Sequence, residues 1–155
     1  MMPWRQDSTG SLWGDIVEIK FTVMGEPKGK ARPRVVNVHG HSMAYTPKDT
    51  ATYENLIRVE YGLQTGNYRF PDGTPLAMTI WAYMGIPKSA SKKRRQLMAE
   101  GLIRPTKKPD VDNICKVVAD SINGIAYRGD SAIVIATIYK LYAEQPRLEV
   151  ELKEF

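Results

Sequence analysis

Over residues 15–24, Val17, Ile19, Phe21 and Val23 alternate with Glu18, Lys20, Thr22 and Met24. That period of two predicts a strand with one buried and one wetter face. Residues 25–45 break the pattern with Gly, Pro and basic side chains, Pro27 and Pro33 opposing helix, and the stretch reads as a basic loop or ragged hairpin. Thr46, Pro47 and Asp49 then supply a capping hydroxyl, a proline for the first helical position and a first-turn carboxylate. They predict a helix to about Tyr61, with Tyr53, Leu56, Ile57 and Tyr61 as its buried stripe and Gly62 and Gly66 as its stop.

After a Pro-Asp-Gly-Thr-Pro turn, residues 76–84 are apolar and aromatic and predict a second, well-buried strand. Ser89 or Ser91 can cap a short basic helix ending at Gly101. Over 110–123, Ile114, Val117, Val118, Ser121 and Ile122 fall at the spacing of one helix face, with Asp110 as cap and Gly124 as terminator. Residues 132–142 and 147–153 predict two final strands, joined by so short a link that they should form a hairpin.

Composition narrows the class without deciding it. A chain of 155 residues, 43% hydrophobic and 25% charged, is expected to be one globular domain over 15–155 after an N-terminal extension over 1–14. One cysteine cannot form an internal disulfide or a zinc cluster, which suggests a reducing, cytoplasmic setting. No uninterrupted apolar stretch at the N-terminus points to a signal or a membrane. The net charge of +5 is modest, but it is unevenly placed. Lys28, Lys30, Arg32 and Arg34 form one basic segment, and Lys88, Lys92, Lys93, Arg94, Arg95, Arg104, Lys107 and Lys108 form another. A polyanion is the natural partner of such segments, and Lys28, Lys30, Arg32, Arg34, Lys92, Lys93, Arg94, Arg95, Lys107 and Lys108 are the candidate phosphate contacts.

Candidate chemistry follows directly on the second segment. On the helix opened by Asp110, the face opposite the apolar stripe carries Asp112, Lys116, Asp120 and Asn123. Asp110 and Asp112 stand close together at a positive helix end, where two carboxylates suit a hard cation such as magnesium. Asp130, before the next strand, could return to the same place. Each piece also has a plain reading: a cap, a first-turn acid, a Lys116 pair at i, i+4, and a turn residue. His39 and His41 read as solvent-facing loop residues, Trp4 and Trp13 as packing on the domain or idle, and Cys115 as a packing residue.

The ordered set Lys108-Pro109-Asp110-Val111-Asp112-Asn113, Lys116, Asp120, Asn123-Gly124 and Asp130 resembles the signature of the RusA family of Holliday junction resolvases, found in bacteria and their phages. Gly25-Glu26-Pro27, Lys30-Ala31-Arg32-Pro33-Arg34, Tyr45-Thr46-Pro47, Pro87-Lys88-Ser89 and Ser91-Lys92-Lys93 resemble its phage-type branch. The resemblance implies a small α/β, α+β-like homodimer with a mixed sheet of about four strands and helices packed on it. It implies binding of four-way or branched DNA and cutting of two opposed strands with magnesium, manganese substituting, in a bacterial or phage-infected cell. By position, Asp110, Asp112 and Asp130 match the family's metal-binding acids and Lys116 its catalytic lysine, with Asp120 and Asn113 in supporting places. The family often has paired acids where this chain has Gly129-Asp130, and glutamine where it has Ala132. A branched-DNA-binding protein of the same fold without cleavage is the alternative, and a basic RNA-binding module is a third.

Overall fold

The computed structural model describes residues 16–155. The expected extension over 1–14, its Trp4 and Trp13, and the expected strand start at Asp15 lie outside the described residues.

The chain order is β1 (Glu18–Met24), β2 (Arg34–Val38), β3 (His41–Tyr45), α1 (Lys48–Thr65), β4 (Leu76–Gly85), α2 (Lys92–Ala99), α3 (Val111–Ser121), β5 (Ile133–Ala143) and β6 (Arg147–Glu154). Three helices and a mixed four-stranded sheet, ordered β1-β6-β4-β5, make an α+β fold, with β2 and β3 forming a separate two-stranded ribbon. The strand β4 sits in the middle because its side chains alternate fully buried and half-buried along its whole length. It runs antiparallel to β6 and parallel to β5. The parallel pairing needs a crossover, which the segment carrying α2 and α3 provides.

The expected terminal hairpin does not form. Strands β5 and β6 are separated by β4, and residues 144–146 pass over its end. Two strand spacings amount to about 10 Å, which a few extended residues can cover. That crossing is fixed by backbone hydrogen bonds: Gly25 N–H donates to the Pro146 carbonyl at 3.0 Å and Ile86 N–H to the Ala143 carbonyl at 3.2 Å. Glu26 completes it by accepting from Gly85 N–H at 2.9 Å, so a Cβ at Gly85 would lie 2.4 Å from the Glu26 carboxylate.

Helices α1 and α3 and strands β1, β4 and β6 enclose one core, in which Phe21, Ile57, Tyr61, Ile80, Ile114, Val118, Leu148 and Val150 are buried. Helix α1 departs from expectation in three ways. Its N-cap position is Pro47 rather than Thr46, with no side-chain cap, and it runs through Gly62 to a left-handed Gly66. Gly62 is tolerated inside it because the Asn67 side chain packs where a Cβ would stand. Leu56 is exposed, and Thr50 and Glu54 join Tyr53, Ile57 and Tyr61 on the buried side. Helix α2 starts as expected, with Ser91 Oγ accepting from Arg94 N–H.

Candidate active site

Helix α3 holds the candidate chemistry on a firm base. Its Ile114, Val117, Val118 and Ser121 are buried, and the following Ile122 is fully enclosed. Each such aliphatic side chain contributes about 1.5–3 kcal/mol of burial. The outer face is thereby fixed, and Asp112, Lys116 and Asp120 follow one another along it at i, i+4 and i+8. Asp110 occupies the N-cap position, but its side chain makes no capping hydrogen bond. Among the described residues, no hydrogen bond or ion pair engages the carboxylates of Asp110, Asp112 or Asp130, and all three residues are exposed. The plain reading of Asp110 as a side-chain cap therefore does not describe this helix.

Lys116 is paired along the helix with Asp120, Nζ to Oδ2 at 3.4 Å. Asp120 also lies 3.5 Å from the Lys30 ammonium, which in turn binds Glu54 on α1 at 2.7 Å. The result is an alternating row, Glu54, Lys30, Asp120 and Lys116, in which Lys116 is the most exposed member at 61%. Burial opposes the Lys30 charge, but the hydrogen bond to Glu54 and the charges of Glu54 and Asp120 outweigh it, and its pKa is raised. The thiol of Cys115 is pushed up by burial and by Asp112, which suits packing and not nucleophilic chemistry.

The basic loop is joined to this helix directly. Lys30 N–H donates to the Asn113 carbonyl at 2.9 Å, and a Cβ on Gly29 would stand 2.9 Å from the Cβ atoms of both Asn113 and Pro109. Only glycine permits that approach. Asn113 thus acts through its backbone, beside the acids. The peptide Lys108-Pro109 is cis, and Lys140 donates to the Lys107 carbonyl, so the chain entering α3 is tied to β5.

The phosphate-contact candidates divide. Lys28, Arg32, Arg34, Lys92, Lys93, Arg94, Lys107 and Lys108 are exposed. Lys30 stands apart from these: its ammonium is held between two carboxylates with the side chain 18% exposed, a consequence of Glu54 lying on the buried stripe of α1 and requiring a cation. Arg95 is committed as well, donating to both Glu144 carboxylate oxygens at 3.0 Å and to the Pro87 carbonyl. Sequence reasoning missed Glu54 and Gly29. An acid at a buried helix position was the available signal for the first.

A model of the family described as Endodeoxyribonuclease RusA matches residues 24–153 of this chain. The chain belongs to the RusA family. It is also 37% identical over 141 residues to YqaN of Bacillus subtilis (strain 168), a protein described as uncharacterized, covering 88% of this chain and 96% of that one. The RusA match spans every residue of the site from Glu26 to Asp130, so the acids and Lys116 sit inside the family region of a nuclease family that acts on DNA.

The family implies a divalent metal, and the donor set here can be weighed directly. Asp110 and Asp112 offer hard carboxylate oxygens that no protein group occupies among the described residues. Among those residues, no group of three His, Cys, Asp or Glu side chains gathers around one point. Two carboxylates completed by water and phosphate oxygens fit magnesium, which is ordinarily held in that way. No helix among the described residues is long and apolar enough to cross a membrane.

Proposed function

We propose that this protein is a magnesium-dependent, structure-selective endodeoxyribonuclease that resolves Holliday junctions by paired nicks, acting as a homodimer. The observation that carries the reading is the pair of unengaged carboxylates, Asp110 at the start of α3 and Asp112 one helical turn from a solvent-facing Lys116, flanked by exposed cations. Phosphate chemistry needs both: cations to attract the polyanion and free carboxylates to hold the metal.

Asp110 and Asp112 would hold the cation, with water and phosphate oxygens in its remaining positions. When bound, it polarises a phosphate oxygen and makes a water a better nucleophile. Lys116 projects its ammonium to where negative charge grows on the phosphate, and Asp120 holds that ammonium in position from the next turn. Lys30, itself anchored by Glu54, holds Asp120 in place. The exposed Lys92, Lys93, Arg94, Lys107 and Lys108 would bind backbone phosphates and set affinity, leaving base choice to other contacts. A two-fold dimer suits a substrate with two opposed strands to cut.

The test uses an immobile four-way junction, labelled on each strand in turn, beside a linear duplex of the same sequence, with magnesium, manganese or chelator. Paired nicks at symmetric positions near the branch, seen only with metal and only on the junction, are expected. A junction that is bound but uncut across several branch sequences would replace the nuclease by a branched-DNA-binding protein.

A further inference from the structure

The ribbon β2–β3 belongs to no larger sheet, and every residue of both strands is exposed. Its register pairs Arg34 with Tyr45, Val36 with Met43 and Val38 with His41, which puts these six side chains on one face. Val35, Asn37, Ser42 and Ala44 occupy the other. The first face is largely apolar, and Val36, Val38, Met43 and Tyr45 are 40%, 41%, 56% and 44% exposed. At the tip, His39 and Gly40 both have positive φ, 51° and 79°, as a tight primed turn requires. A two-stranded ribbon is marginal in water by itself, and an uncovered apolar face marks a place for a partner.

Two features say which partner. No Asp or Glu occurs from Pro27 to Lys48, while the exposed Lys28, Arg32, Arg34 and Lys48 do. Such a segment is complementary to a polyanion. Its root is also anchored at the acids, through the Gly29 approach to Pro109 and the hydrogen bond from Lys30 N–H to Asn113. The ribbon therefore leaves the body beside the carboxylates that would meet the scissile phosphate.

We propose that the β2–β3 ribbon is an arm that enters DNA at a branch point, its apolar face against bases that have lost their stacking. Arg32 and Arg34 hold phosphates at its root. A two-stranded ribbon fits a major groove about 12 Å wide, and five residues per strand reach about 17 Å. In a continuous duplex the base faces are already covered by stacking, and exposing them costs a few kcal/mol per step, least where pairing is already disturbed. An apolar arm gains most where that cost is smallest, so it favours branched over linear DNA. The inference rests on the nuclease reading for the meaning of the nearby acids, but its binding test does not.

The full chain is measured in chelator, where no cutting occurs, against an immobile four-way junction carrying 2-aminopurine at the branch and against a linear duplex. Two variants are compared with the wild type: Val36→Ser with Met43→Ser, and replacement of residues 35–44 by Gly-Ser-Gly. The wild type is expected to raise the 2-aminopurine fluorescence, and both variants to lower the junction-to-duplex affinity ratio at least about tenfold, for a loss of about 1.4 kcal/mol. Their sedimentation should match that of the wild type. An unchanged ratio and fluorescence would overturn the arm, as would variants that lose self-association, which would assign the apolar face to a second copy. Cutting by the wild type in magnesium is scored apart. A protein that unstacks the branch and never cuts retains the arm and loses the nuclease reading, whereas one that cuts without unstacking loses the arm alone.

Discussion

Helix α3 and the β2–β3 ribbon each have a face richer in apolar side chains, yet only the helix hides it. Ile114, Val117 and Val118 are fully enclosed between α1 and the sheet, whereas Val36 and Met43 meet solvent. The difference separates two ways of using a pattern. On α3, burial holds Asp112 and Lys116 in fixed places, as chemistry on a phosphate demands. On the ribbon, the same kind of face is left available, as docking demands. The Gly29 approach to Pro109 and Asn113 is where the two meet.

The comparison breaks most directly through stability. Ile114→Ala should cost about 2–5 kcal/mol, and Val36→Ala no more than about 0.5 kcal/mol, both read from urea denaturation midpoints. Equal costs would mean that the ribbon is packed against the body after all. Activity should divide the other way within α3. Lys116→Gln is expected to lower single-turnover cleavage on the order of a hundredfold to a thousandfold while junction affinity and melting temperature stay near the wild-type values. A loss of affinity of the same size would make Lys116 a phosphate contact.

Alkaline pH sharpens the same contrast, because the enclosed hydroxyls lie in the body. Burial pushes Tyr53 and Tyr61 up to about 12, and Tyr127 is raised further by burial together with the charges of Asp130 and Asp120. In the unfolded chain tyrosine loses its proton near pH 10. Between about pH 10 and 12 the unfolded state therefore binds fewer protons than the folded one, and stability falls as pH rises. Lys30 acts in the same sense, since its raised pKa contributes stability that is present below 10.5 and lost above it. Denaturant midpoints should be level up to about pH 9.5 and then decline, with the phenolate absorbance of the buried tyrosines appearing only on unfolding. The smallest expected effect concerns the exposed cations. Each of Lys92→Ala, Lys93→Ala and Arg94→Ala should reduce the slope of log affinity against log salt by about one or less, on junction and duplex alike.

Periodicity carried most of the fold. The strict alternation around Phe21 and Val150 and the helical stripe of Ile114, Val117 and Ile122 were legible because one face of each is buried. Strand order was not, since nothing local records that β4 is interposed between β5 and β6. The length of α1 was misjudged because Gly62 reads as a stop, and the Asn67 side chain that takes its Cβ space lies beyond the helix end. At the site, Asp110, Asp112 and Lys116 could be placed on one helix from spacing alone. The inward turn of Lys30 could not, because it depends on Glu54 and Asp120 from two helices meeting one lysine from a loop.

The most direct test of the central claim is single-turnover cleavage of a four-way junction by Asp112→Asn in saturating magnesium, with binding measured on the same preparation. The account predicts cleavage lowered on the order of a thousandfold with junction affinity within about twofold of the wild type, because the substitution would remove a proposed metal ligand and leave the exposed cations in place. Cleavage at the wild-type rate would contradict it, and would move the chemistry away from the start of helix α3.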